Sequence, residues 1–282
     1  MRRLFTWLSL FSLGSVSTIA APQLQTVPQQ PQSVFGGANR TVSLCWRNAG
    51  VTLNETTLQS RMMQLTSATA VCVGASPWKT LRVLPGQTVL DTATLEFPPV
   101  RARTRFLVQW VEGDSNVLGS TEVFAYPTNL LAELGVLLGH REDALAIYDP
   151  DHELKPLLER VNVGFVDLEN TVAENFRGRL AIVGPFKAEP GARSLVTAQV
   201  KALAEQGVAV VWVHRQAESP ELEAPQPSFY SLPTNPSSIV VVQPSTVANL
   251  DANPVSQLNL VFFCKLALHP KPLELPILKS QP

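Results

Sequence analysis

The hydrophobic period of the chain changes once, at Tyr126-Pro127, and that change dictates two folding units of different class. From Val34 to Tyr126 apolar residues recur at every second position, in TVSLCWR, LQSRMMQL, TAVCV, KTLRVL, TVLDTATLEF, RFLVQWV and STEVFAY. A period of two sends alternate side chains to opposite faces of a strand. Turn-forming residues separate the runs: Asn48-Ala49-Gly50, Pro85-Gly86, Pro98-Pro99 and Glu112-Gly113-Asp114. Val42, Leu44 and Trp46 fall on one face of their strand, as do Val89, Ala93, Leu95 and Phe97, and Phe106, Val108 and Trp110. Many short strands and no long helix, over about ninety residues (34–126), predict an antiparallel β-sandwich of immunoglobulin-like size.

After Tyr126 the pattern alternates between short β-branched runs and helical stretches. NLLAELGVLLG predicts a short helical connector within residues 127–142. ALAIYD, VGFVDL, RLAIVG, VAVVWVH and SIVVVQ are continuous apolar runs, as expected of strands buried on both faces. GARSLVTAQVKALAEQG carries a stripe of Leu195, Val196, Val200 and Leu203, with Gly207 as the stop. In NPVSQLNLVFFCKLAL, Asn253 is the expected cap, Pro254 occupies the first turn, and Leu258, Val261, Phe262 and Leu266 are expected inward. Residues 143–268 therefore predict an α/β doubly wound parallel sheet, flavodoxin-like, with strand order 2-1-3-4-5. Residues 269–282 read as an extended tail, and the long stretch 216–237 as a lid or a disordered connector.

The N-terminus has a cationic start (Arg2, Arg3), an apolar run from Leu4 to Leu13, and small residues at Thr18 and Ala20. That order predicts a secretory signal peptide over residues 1–20, hence an exported, periplasmic or extracellular protein of bacterial type. The run is shorter than the roughly 20 apolar residues that cross a bilayer, so no membrane span is expected after cleavage. Residues 21–33, APQLQTVPQQPQS, read as a Pro/Gln-rich linker with nothing to bury. A formal net charge of −1 supplies no field to attract nucleic acid. Three cysteines allow one disulfide. Cys45 and Cys72 each lie opposite apolar neighbours, so the pattern leaves open a Cys45–Cys72 bridge between adjacent strands of one sheet, or two free thiols. Cys264 is expected as a small core residue of the last helix.

In a sheet of this order ligands bind beyond the carboxyl ends of the strands. The residues expected there are Tyr148, Asp149, Pro150, Asp151 and His152, then Pro185, Phe186 and Lys187, with His214 and Arg215 after the fourth strand. Asp149, Asp151, His152 and His214 are the candidate acid–base or metal-ligating groups. The competing expectation for Asp149 is a helix cap followed by Pro150 at the first helical position. Lys187 could hold an anion or lie solvated in its loop. Trp78, in GASPWKT, and Tyr230, in PSFYSLP, are the aromatics expected in loops, where a glycan ring could stack. No phosphate cradle, serine elbow or zinc spacing is present, so no cofactor and no metal is expected.

The third strand, RLAIVG, runs into a tight turn and a helix, and in this residues 143–268 resemble the class I glutamine amidotransferase-like domains. The resemblance implies a nucleophilic Cys at that turn, with a His and a Glu near a later strand. Here the turn reads Gly184-Pro185-Phe186, so the resemblance implies the frame without its nucleophile. An exported sandwich followed by such a domain is also similar to ancillary regions of bacterial secreted polysaccharide-processing proteins. Three functions remain open at this level. They are a non-catalytic binding or assembly protein with a protein or glycan partner, a hydrolase using the strand-end carboxylates and histidines, and a structural module of a larger complex.

Overall fold

A computed structural model describes residues 24–184, 193–214, 229–233 and 238–270. The expected signal peptide, Lys187, Arg215 and the C-terminal tail beyond Pro270 lie outside these residues. The first unit contains β1 (Leu24–Thr26), β2 (Gln32–Phe35), β3 (Ala38–Asn48), β4 (Asn54–Leu65), β5 (Ala70–Val83), β6 (Thr88–Phe97), β7 (Thr104–Glu112) and β8 (Asn116–Tyr126). They form a three-stranded sheet, β1-β3-β6, and a five-stranded sheet, β2-β8-β7-β4-β5. All pairings are antiparallel except β2 with β8. The alternation of the sequence sets the inner faces, which bury Val42, Leu44, Trp46, Ala93, Leu95, Phe97, Phe106, Val108 and Trp110 in one core.

Two expectations for this unit are corrected. The linker is not free of structure: Leu24 is buried, and β1 pairs with β3 from Leu24↔Asn48 to Thr26↔Trp46. The one leucine of a polar stretch finds the core, and Gly119 permits it, because any side chain there would collide with Thr26. Gln32 then links the strands further, its amide bonding both the carbonyl and the N–H of Ser43. Second, TAVCV and KTLRVL are one strand. GASPW does not loop out but continues β5 against β4, with register shifts near Leu58 and Met62. Of the two readings left open for the cysteines, the structure has free thiols, with Cys45 and Cys72 on different sheets.

The second unit opens with α1 (Ala132–Leu137), followed by β9 (Leu145–Tyr148), α2 (Lys155–Arg160), β10 (Val166–Asp167), β11 (Leu180–Val183) and α3 (Arg193–Glu205). Then come β12 (Ala209–Val213), β13 (Phe229–Pro233), β14 (Ser238–Val242) and α4 (Pro254–Leu268). The sheet order is β10-β9-β11-β12-β14-β13, parallel throughout except for β13, which pairs antiparallel with β14 at the edge. Taken in chain order, the five parallel strands thus stand second, first, third, fourth, fifth. The long stretch read as lid or connector contributes β13, which the scattered apolar residues Phe229, Tyr230 and Leu232 did not signal.

Each face of this sheet has its own core. Leu145, Ile147, Val211, Val213, Val240 and Val242 pack against α1, α2 and α4. Ala146, Val183, Val210 and Val241 pack against α3. The helix stop at Gly207 is as the sequence predicts, with φ +83°. Asn253 caps α4 by accepting from the Val255 N–H. The buried stripe of α4 is Gln257, Leu260, Val261, Cys264 and Ala267, while Phe262 is 53% exposed and Leu258 and Leu266 are half-buried. With nearly every position apolar, the pattern of α4 does not specify which side turns inward. The connector joins this core through Leu131, Leu134 and Leu138, and Leu131 also meets Phe35 and Arg40 of the sandwich across a small cavity.

Candidate functional site

The carboxyl ends of β9 and β10 carry an interlocked set of charges. Asp149, directly after β9, is fully buried. Its Oδ1 accepts the N–H of Glu153 at 3.1 Å, and its Oδ2 accepts those of Leu154 at 2.7 Å and Lys155 at 2.9 Å. These N–H groups lead into α2, and that of Lys155 is the first of the helix, which it cannot pair internally. The helix begins five residues later than Asp-Pro suggests. His152 takes the left-handed conformation, φ +53°, which interrupts helical geometry, and Lys155 and Pro156 form the first turn. Asp149 caps from a distance, across the turn 150–154.

Lys155 points back toward the sheet. Its side chain is 7% exposed, and Nζ donates to Asp167 Oδ1 at 3.0 Å and to Glu169 Oε1. Glu169 Oε1 also accepts the Asp149 N–H at 3.1 Å, closing the network. Burial opposes the charge on Lys155, but the hydrogen bonds to Glu169 and then Asp167 outweigh it and hold the ammonium above the usual lysine range. Burial likewise opposes ionisation of Asp167. The Glu169 N–H, the Lys155 ammonium and the Asn170 amide prevail and hold its carboxyl below the usual range. Two carboxylates, Asp167 and Glu169, share the one ammonium.

Beside this network lies an open groove of about 460 Å³, lined by Tyr148, residues 168–174, Ala198 and Gln199. Leu168, Val172 and Ala198 supply apolar wall, and Glu169 and Glu174 supply carboxylates. The Gln199 Oε1 is shut off from solvent without a hydrogen-bond partner. The position agrees with ligand binding beyond the strand ends.

The predicted candidates are not assembled as a catalytic set. Asp149, Asp151 and His152 share one turn, with the His152 N–H donating to the Asp149 carbonyl at 3.1 Å and its imidazole exposed. His214 follows β12, two strands from β9, about 10 Å away by strand spacing. Its ring stacks on Trp212, centroids 4.4 Å apart. No group of three or more His, Cys, Asp or Glu is arranged to hold a metal among the described residues. Trp78 is not a loop aromatic. It lies in β5, stacked on Trp46 at 6.2 Å and tilted against Trp110 at 5.0 Å, as part of the sandwich core. Tyr230 belongs to β13 and packs on the core beneath α3. Lys155, Asp167 and Glu169 were missed, although the acidic pair Asp167-x-Glu169 ending the second strand was a usable signal.

No family model matches the chain, and no curated protein matches it. Solved structures similar to it include the alkylpurine DNA glycosylase AlkC of Pseudomonas fluorescens bound to DNA containing an abasic site analog. That protein is 11% identical over 37% of this chain and 30% of its own, with a TM-score of 0.29. The Paenibacillus sp. cycloisomaltooligosaccharide glucanotransferase, complexed with cycloisomaltoheptaose, is 13% identical over 68% of this chain and 27% of its own, TM-score 0.29. The sporulation control protein Spo0M of Bacillus subtilis is 11% identical over 42% and 56%, TM-score 0.28. This chain spans less than two thirds of each of them. At TM-scores this low the likenesses carry no argument about fold or function.

Proposed function

We propose that this is an exported, non-catalytic binding protein that presents the groove at the strand ends of its α/β unit to a ligand. In this reading the first unit is an immunoglobulin-like sandwich and the second a flavodoxin-like domain, close to the amidotransferase-like frame but without its nucleophile. The observation that carries the proposal is the state of Asp149. The best-placed carboxylate of the crevice is buried and accepts three backbone N–H groups, which leaves it out of reach of a substrate. In sequence β11 is followed by Gly184, Pro185 and Phe186, none of them a nucleophile, Pro185 and Phe186 lying outside the described residues. His214 stacks on Trp212 instead of joining Asp149. An assembly role beside cell-envelope or polysaccharide machinery suits an exported protein of this kind.

Two measurements test the reading. The purified chain is assayed against ester, amide and glycoside substrates, with and without Mg2+, Mn2+ or Zn2+. Turnover lost in Asp149→Asn with an unchanged melting temperature would replace the binding reading by the hydrolase one. N-terminal sequencing of protein recovered outside the cytoplasm is expected to begin at Ala21; an intact Met1 terminus on protein retained in the cytoplasm contradicts export.

A further inference from the structure

We propose that one end of the sandwich seats on a lipid bilayer through the loops between β3 and β4 and between β5 and β6, an inference independent of the groove. Asn48, fully buried, organises both loops. Its Nδ2 donates to the carbonyls of Thr52 at 2.8 Å and Val83 at 3.0 Å, and its Oδ1 accepts the Gly50 N–H at 2.9 Å. Its backbone N–H donates to the Gln87 carbonyl at 3.1 Å, and its carbonyl accepts the Gly86 N–H at 2.9 Å. While these backbone groups turn inward, aliphatic side chains are left outside: Val51 is 89% exposed, Leu84 54% and Leu53 41%. Leu53 and Leu84 stand one step beyond Asn54↔Val83, the last pair of the β4–β5 ladder, so they are neighbours. Neither NAGVTLN (48–54) nor VLPGQT (83–88) contains a charged residue.

A single exposed aliphatic needs no explanation, but three on adjoining loops make a protruding apolar tip. Two observations favour lipid as its partner. The chain enters the sandwich at this same end: β1 begins at Leu24, opposite Asn48, and in sequence residues 14–23 separate it from the apolar run Leu4–Leu13. At about 3.3–3.6 Å per residue that stretch reaches at most roughly 40 Å. Whenever the apolar run occupies a bilayer, this end of the sandwich is therefore held near it. The charged residues next to the loops, Arg47, Glu55 and Arg82, are all exposed, two cations to one anion. Set just behind the apolar tip, long arginine side chains reach headgroup phosphates while their stems lie along apolar surface. A second copy docked tip to tip would instead bring the arginines of both copies around one contact, where like charges repel.

Co-sedimentation with vesicles tests it, using the exported form from Ala21 and vesicles of phosphatidylcholine alone or mixed with phosphatidylglycerol. Binding to both is expected, tighter with phosphatidylglycerol. Half-binding should fall on the order of 1 mM lipid, because three partly immersed aliphatics hold less well than one acyl chain. Val51→Asp and Leu84→Asp are each expected to weaken binding at least about fivefold. Val136→Asp, at a residue 65% exposed on α1, is expected to leave it unchanged. Unchanged melting midpoints establish that the variants are folded. Val51→Trp adds an emission that brominated acyl chains should quench, both in the exported form and in a chain that keeps residues 1–20. That signal separates the tip from the apolar run, so this proposal and the export reading fail independently. No vesicle binding by the form from Ala21, binding indifferent to both tip variants, an equal loss in Val136→Asp, or an added tryptophan that is not quenched overturns the proposal. Dimers formed without vesicles and dissociated by Val51→Asp would overturn it in favour of a second copy.

Discussion

Asp149→Ala separates a capping carboxylate from a catalytic one by the size of its effect on folding. The substitution strips acceptors from three N–H groups. Those of Leu154 and Lys155 belong to buried residues, and a buried donor left without a partner costs about 1–3 kcal/mol. The N–H of Glu153, in a partly buried setting, can turn to water at little cost. Loss of a negative group at the start of α2 removes about 0.3–1 kcal/mol more. The sum is about 2–7 kcal/mol, toward the lower end if water fills the vacated space. For a unit of this size each kcal/mol lowers the melting temperature by about 2–8 °C, so a fall of at least about 4 °C is expected. Urea unfolding followed by far-UV circular dichroism and tryptophan fluorescence is the assay. Trp46, Trp78 and Trp110 report the sandwich and Trp212 the α/β unit, so the loss should appear in the Trp212-linked transition. Asp149→Asn keeps one acceptor oxygen and should fall between. An Asp149→Ala protein within about 0.5 kcal/mol of the parent, the range of neutral surface changes, would refute the capping argument.

Three further outcomes follow from particular contacts. The folded-state pKa of Asp167 is depressed, so its contribution is present above the unfolded value of about 3.9 and is lost as pH falls through the folded one. That of Lys155 is raised, so its contribution is present below about 10.4 and is lost as pH rises through the folded value. The stability gap between parent and Lys155→Met, about 3–5 kcal/mol for a broken buried pair, should therefore be constant from roughly pH 5 to 9 and shrink below about pH 4; urea midpoints across pH check this, and a gap that widens in acid contradicts it. Timed alkylation with mass spectrometry should label exposed Cys72 first and Cys264 only on unfolding, because complete burial pushes the Cys264 thiol well up; a Cys45–Cys72 disulfide in the native protein would contradict the placement of these residues on separate sheets. Trp110→Ala empties the centre of the tryptophan cluster and orphans the Thr121 hydroxyl that accepts its indole N–H at 3.1 Å, so it should cost about 3–5 kcal/mol in the sandwich transition and leave the Trp212 transition in place.

What the sequence made legible was whatever a local repeat controls. Alternation along β3, β6 and β7 named their inner faces residue by residue, since a strand face is set by parity alone. Five short apolar runs separated by helical stretches likewise gave parallel strands in the order observed. Legibility failed where a choice is made by distant partners. Leu24 joins a sheet because β3 offers an open edge and Gly119 leaves room, and neither is visible in APQLQTVPQQPQS. GASPW looks like a turn, yet β4 holds it in register, pairing Pro77 and Gly74 and leaving Trp78, Lys79 and Val73 unpaired at two irregularities. At the site, Asp149 was placed correctly beyond the first strand and its capping role anticipated. The partners of the network were not, because Lys155, Asp167 and Glu169 meet only when α2 folds back over β10.

That network also accounts for where the charged groups at the strand ends are held. Lys155 is held over the sheet by Asp167 and Glu169, α2 is started by Asp149, and Glu169 receives the Asp149 N–H, so each charged group satisfies a requirement of another. Removing one member leaves a buried charge or donor uncompensated, which would be costly in a unit with ordinary marginal stability. The groups at the β9 and β10 ends are therefore fixed by folding, whereas the exposed Glu174 side chain pairs with no cation among the described residues. Substitution of Glu174 should leave stability within about 0.5 kcal/mol of the parent, whereas substitution of Asp149 or Lys155 should lower it by several times as much. Urea midpoints of the three variants, measured together, test the placement of all three residues.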